Sequence, residues 1–153
     1  MKVADILKTK GSAVETVRRD ETALDLAEKL RTKRIGAAVV SIDGRTIEGI
    51  VSERDLAYAL AAHTSRLPAV LVETLMTKIV VVCSPEDTIN EVMGVMTRGR
   101  FRHLPVKNGE ELVGIVSIGD ILKHRLSEMQ LEADVLREYA LKRIPEKADH
   151  RYL

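Results

Sequence analysis

Apolar positions recur along this chain with two different periods, and their alternation gives the plan of elements. Short runs rich in β-branched residues, Val14 to Val17 and Ile79 to Cys83, predict strands. Each leads to a segment opened by a threonine, Thr22 or Thr88. Beyond it, Leu24, Leu26, Ala27 and Leu30 in one case, and Ile89, Val92, Met93 and Met96 in the other, draw an apolar stripe along a helix. Two further strands follow each time, Ala37–Ile42 with Ile47–Val51 and His103–Val106 with Leu112–Val116. Between the partners stand Asp43-Gly44 and Asn108-Gly109, residues that adopt positive φ at low cost and favour a hairpin. A second helix begins at Ser52 or Ser117. The unit is β-α-β-β-α, and it occurs twice.

The duplication can be aligned residue by residue. Thr22 maps onto Thr88 at an offset of 66 and Gly49 onto Gly114 at 65, so one residue of length separates the copies. That change falls at the hairpin tips, where it leaves a core undisturbed. Similar lead-ins precede the copies, Val3-Ala4-Asp5-Ile6-Leu7 and Val72-Glu73-Thr74-Leu75-Met76. The expected division is residues 1–66 for copy one with its lead-in, 67–125 for copy two, and 126–153 for a C-terminal helix and tail. Each copy is too small to bury enough surface alone, so the two should pack sheet to sheet as one α/β (α+β) pseudo-two-fold body. After copy two, Leu122, Leu126, Met129, Ala133, Leu136 and Ala140 repeat at spacings of four and three, a narrow seam along which helices pair. From Pro145 to Leu153 the chain turns polar, and a frayed end is expected there.

Composition narrows the function classes. With 153 residues, 45% hydrophobic and 31% charged, the chain is globular. Lys+Arg number 24 against 23 Asp+Glu, so no net field draws nucleic acid or anionic lipid. Only 3% of residues are aromatic, too few for a base-stacking platform. One cysteine, Cys83, excludes an internal disulfide and a multi-thiolate zinc site, and no apolar run reaches membrane length. These features lead to the expectation of a cytoplasmic protein that binds neither nucleic acid nor membrane.

Two copies of Gly-Ile-Val-Ser-x-x-Asp, at Gly49 to Asp55 and Gly114 to Asp120, each following a β-α-β-hairpin, resemble the cystathionine-β-synthase (CBS) domain pair, or Bateman module. Arg102-His103-Leu104-Pro105-Val106 is similar to the family's apolar-x-apolar-Pro segment; Ala37-Ala38-Val39-Val40 of copy one lacks the proline. The resemblance spans roughly residues 1 to 125. It implies a stand-alone module of the bacterial type, regulatory and not catalytic. Adenosine compounds would bind between the repeats: AMP foremost, with ADP, ATP or NAD(H) as further nucleotide candidates and S-adenosylmethionine known in the family.

Individual residues carry two readings each. Ser52 with Asp55, and Ser117 with Asp120, have the spacing of a capping box. The same carboxylates, acceptors only, also suit the vicinal hydroxyls of a ribose, while free amides at the helix start favour a phosphate. Arg54, Arg98, Arg100, Arg102 and His103 concentrate positive charge, which fits a solvated helix end or a phosphate site. Arg102 and His103 align with phosphate-binding residues of the gamma subunit of AMP-activated protein kinase, which this region resembles. Their counterparts Gly36 and Ala37 are uncharged. Two unlike sites are therefore expected, a small slot for a base at Ile35, Gly36 and Ala37 and a basic site around Arg100, Arg102, His103 and Pro105. The Lys10-Gly11-Ser12 segment reads as a loop, with a second phosphate site as the alternative.

Catalytic signals are thin. Cys83 has apolar neighbours and reads as core, and the histidines at 63, 103, 124 and 150 lack metal-ligand spacing. The expectation is a nucleotide-sensing homodimer acting on an unidentified protein effector, with a constitutive interaction scaffold as the alternative. For the C-terminal seam, pairing with a second copy competes with folding back onto the repeats.

Overall fold

The computed structural model describes residues 1–143, so the polar end from Pro145 onward lies outside the described residues. The chain runs α1 (Val3–Lys10), β1 (Thr16–Val17), α2 (Ala23–Lys33), β2 (Ala37–Val40), β3 (Gly49–Ser52), α3 (Glu53–His63), a 3-10 turn (Thr64–Ala69), α4 (Val72–Leu75), α5 (Ile89–Gly99), β4 (His103–Asn108), β5 (Glu111–Ser117) and α6 (Ile118–Arg143). Copy one is the β-α-β-β-α unit and copy two repeats it from its first helix onward, with α2, α3 and α5 opened as the sequence indicates. Thr22, Ser52 and Thr88 accept from the amide three residues on, and Asp25, Asp55 and Glu91 return the bond.

The strands form two separate sheets. In the first, β1 runs parallel to β2 and β3 antiparallel; in the second, β4 and β5 pair antiparallel with a bulge after Val106. Gly44 and Gly109 take φ of 75° and 61°, as the turn dipeptides require. The first turn is nonetheless wider than expected, and its strands stop at Val40 and restart at Gly49. Asp43 accepts from the amides of Arg45 and Thr46 and from the Thr46 hydroxyl, while the Ser41 hydroxyl accepts from Gly44. These local bonds replace ladder rungs.

The strand expected over Ile79–Cys83 shrinks to one parallel bridge, Cys83 with Val106. Cys83 donates to the Pro105 carbonyl and accepts from Lys107. The next rung toward the N-terminus would need an amide at position 105, and proline has none. Copy one has Val39 there, and its ladder continues to Thr16.

The lead-ins cross over. Val3 and Ile6 of α1 are buried in the core of copy two with Val92, Met96, Leu104 and Ile121, whereas Val72 of α4 is buried in the core of copy one with Val17, Leu26 and Val51. Main-chain bonds fix the exchange: Val3 and Ala4 donate to Asp87 and Pro85, and Val72 donates to Glu21. Burying Val3 and Ile6 contributes on the order of 1.5–3 kcal/mol each. The signature glycines belong to the same arrangement. A Cβ on Gly114 would stand 2.7 Å from Leu7 of α1, and one on Gly49 would stand 2.7 Å from Met76, the residue after α4. The halves are thus tied by exchanged lead-ins, with a cleft left between them.

The second helix of copy two does not end where that of copy one does. α6 is one helix of 26 residues in which Ile121 alone is buried. Leu126, Met129 and Leu136 are 66%, 64% and 68% exposed, so the fold-back reading of the seam does not hold over the described residues. No helix among them is long and apolar enough to cross a membrane.

Candidate functional site

A hollow of about 320 Å³ between the repeats is built from one edge of each. Copy one supplies Gly36 and Ala37 at the start of β2, Ile50 and Ser52 of β3, and Glu53, Arg54 and Asp55 in the first turn of α3. Copy two supplies Gly99, Arg100, Phe101, Arg102 and His103, and Thr77 closes one side. Local rules place each group. β3 delivers Ser52 to the cap of α3, where Asp55 Oδ2 accepts from the Ser52 amide at 2.7 Å and its hydroxyl at 3.0 Å. Asp55 Oδ1 takes no hydrogen bond among the described residues. At the end of α5, Arg100 turns left-handed at φ 57° and donates its amide back to Met96, which sends residues 100–103 along the cleft wall.

The base slot and the basic site expected as separate features are therefore one cleft: Gly36 and Ala37 face Arg100, Arg102 and His103 across it. The separate-site reading fails because each wall comes from a different repeat. His103 lies against Gly36, where an added Cβ would come within 3.2 Å of its Cε1. Burial, with the Lys10 ammonium second, holds the His103 imidazole below its ordinary range against the pull of Asp120 and Glu53. The ring is thus neutral near pH 7. Arg54, Arg100 and Arg102 form no ion pair among the described residues, although Glu53 and Asp55 share the cleft.

Four expected residues stand elsewhere. Ile35 packs on the copy-one core, and Pro105 is buried in β4 opposite Ile115. Ser117 and Asp120 form the second capping box, with Asp120 lining a smaller hollow of about 180 Å³ beside Thr9, Lys10, Lys123 and His124. There Lys10, read from sequence as part of a loop, ends α1 and donates to Asp120 Oδ2 at 2.6 Å. Burial alone would push the Asp120 carboxyl up, but the bonds from Lys10 and Ser117 bring it below its usual range. Glu53, Phe101 and Thr77 were not anticipated. Phe101 follows the left-handed Arg100, a local signal; Thr77 arrives only through its pairing with Ile50. Cys83 is buried, and burial pushes its thiol up to about 12, which makes it unreactive.

The sequence model of the CBS domain matches residues 3–62 and again 72–127. The chain belongs to the CBS domain family. A CBS-domain containing protein from Agrobacterium tumefaciens superposes with a TM-score of 0.79 and 42% identity, over 82% of this chain and 99% of that one. The mitochondrial CBS domain-containing protein CBSX3 of Arabidopsis thaliana is 29% identical over 146 residues, 90% of this chain and 70% of its own. The CBS domain pair of protein MJ0100, solved with 5′-methylthioadenosine and S-adenosyl-L-methionine, shares the fold at a TM-score of 0.74 and 22% identity, over 84% of this chain and 98% of that one. The pair of CBS repeats is the unit all of these have in common.

Proposed function

We propose that this CBS domain pair is a regulatory module that takes an adenine nucleotide, AMP foremost, into the cleft between its repeats and passes occupancy on as a change in repeat orientation or association. The observation that carries the reading is one cleft holding the Asp55 carboxylate and three arginines, with one Asp55 oxygen uncommitted and the arginines without carboxylate partners among the described residues. A carboxylate acceptor suits a ribose diol, a small-residue slot at Gly36 and Ala37 suits a flat base, and arginine forks suit a phosphate. The adenosine compounds bound to MJ0100 support adenosine as the part recognised; the three arginines of the cleft favour a phosphorylated form. Binding shifts the module only by its differential affinity for two arrangements.

Thermal melts with AMP, ADP, ATP, NAD, NADH and S-adenosylmethionine test this. Ligand at a hundred times its dissociation constant adds about 2.7 kcal/mol, several degrees for a chain of this size. No shift with any of them returns the module to a constitutive scaffold. Arg102→Ala separates phosphate from base recognition. It should weaken AMP by about 1.5–3 kcal/mol and leave adenosine unchanged in competition titrations; equal loss of both would assign Arg102 to the fold.

The module is also proposed to be a homodimer that uses α6. Leu122, Leu126, Met129 and Leu136 are all more than half exposed, and a two-fold pairing is the common way to cover such a stripe. Sedimentation of the full chain should give a dimer, weakened by ending the chain near His124. A monomer at micromolar concentration defeats the proposal.

A further inference from the structure

The two Ser-x-x-Asp carboxylates have different neighbours. Asp55 has no cation bonded to it among the described residues, whereas Asp120 Oδ2 receives the Lys10 ammonium at 2.6 Å. The same ammonium donates to the Ile115 carbonyl at 2.8 Å, so Lys10 is held at two points, and it lines the second hollow beside Asp120. Its position follows from the crossed lead-in. α1 is anchored in copy two by Val3 and Ile6 and runs eight residues, which carries its last residue to the start of α6. The corresponding lead-in, α4, stops after four residues at Leu75, and Thr77 then pairs with Ile50. Counting from Val3 and Val72, the counterpart of Lys10 is Ile79, which is 90% exposed and points no charge at Asp55. The hollow at Asp120, walled by α1 and α6 and not by one edge of each repeat, is also the smaller, about 180 Å³ against 320 Å³ at Asp55; small-molecule sites start near 300 Å³.

We infer that Lys10 is a built-in occupant of the second cleft, satisfying Asp120 from within the chain, so that the module takes one nucleotide, at Asp55, instead of two. This rests on the reading of the Asp55 cleft as a nucleotide site. Lys10 is then the residue that sets how many ligands the module accepts. A ligand at Asp120 would have to displace an ammonium already hydrogen-bonded to the carboxylate it needs.

Equilibrium titration with AMP, counting ligand bound per folded chain, tests the inference. The wild type should saturate at one. Lys10→Met keeps the length of the side chain, removes the charge and should open a second site, bringing the count to two. Lys10→Arg restores a cation and should return it to one. In an Asp55→Asn background the count should be zero, rising to one when Lys10→Met is added. A wild type that binds two, or a Lys10→Met variant no different from it, overturns the inference. A wild type that binds none refutes the nucleotide reading of the Asp55 cleft, and gain of binding by Lys10→Met still decides the role of Lys10 on its own. Melting curves of each variant confirm that the counts refer to folded protein.

Discussion

Copy one and copy two are built to the same plan, and they differ at two places that matter. In copy one, Val39 donates its amide in the middle of β2, so β1 forms two rungs; in copy two Pro105 takes that place, and the corresponding segment keeps one rung at Cys83. In copy one the Asp55 carboxylate opens onto a cleft whose arginines are unpaired among the described residues; in copy two the equivalent Asp120 is tied to Lys10. Duplication therefore preserved the scaffold and left the ends of the elements free to diverge. A capping box is a backbone requirement that both copies meet. What surrounds the cap depends on which lead-in crosses over it, and the two lead-ins differ in length.

The largest expected effect breaks the comparison at the carboxylates. Asp55→Ala should weaken AMP binding by about 1.5–3 kcal/mol, roughly 10- to 150-fold, through loss of a charged hydrogen-bond acceptor. Asp120→Ala should leave that affinity within about twofold, since its charge is already spent on Lys10. Each variant loses a cap contact of about 1 kcal/mol, so both should fold. Isothermal titration reads the difference, and equal loss from both variants would make the two clefts equivalent after all.

The signature glycines sharpen the comparison next. A methyl on Gly49 would meet both Met76 Sδ and the Thr77 carbonyl, at 2.7 and 2.9 Å, and backbone cannot yield as a side chain does. Gly49→Ala should cost about 1–3 kcal/mol in chemical denaturation. On Gly114 the methyl meets only the end of the Leu7 side chain, which can swing away. There the entropic gain of about 0.5–1 kcal/mol from removing a glycine offsets most of the strain, so Gly114→Ala should be close to neutral. Equal costs would mean that α1 is held as rigidly as the Thr77 backbone bridged to Ile50.

The smallest effect concerns the missing rung. Pro105→Val supplies an amide where the ladder of copy two stops. The added bond, about 0.5–1.5 kcal/mol, and the lost restraint of proline on the unfolded chain, about 0.4–1 kcal/mol, nearly cancel. Stability should change by less than about 1 kcal/mol, while the new amide at position 105 should be protected in hydrogen exchange. Free exchange there would mean that something other than proline keeps residues 79–82 out of the sheet.

Much of this protein was legible in the residue order. The duplication, the turn glycines at 44 and 109 and the capping boxes at Ser52 and Ser117 are local facts, because period, φ preference and side chain-to-backbone bonds act within a few residues. The candidate residues Gly36, Ala37, Arg54, Asp55, Arg100, Arg102 and His103 could be named through the family resemblance that the repeated motifs carry. Their grouping could not. That Gly36 and Ala37 share a wall with Arg102 depends on how two repeats meet, and sequence read each copy by itself. That Lys10 reaches Asp120 across 110 positions of chain depends on α1 leaving its own repeat to complete the core of the other. Even the missing strand before Cys83, apolar and β-branched by every local measure, was decided by the absent amide of a proline on a neighbouring strand. Local preference chose the elements; burial of the lead-ins and hydrogen-bond supply across strands decided which of them meet, because those terms exist only once distant segments share a surface.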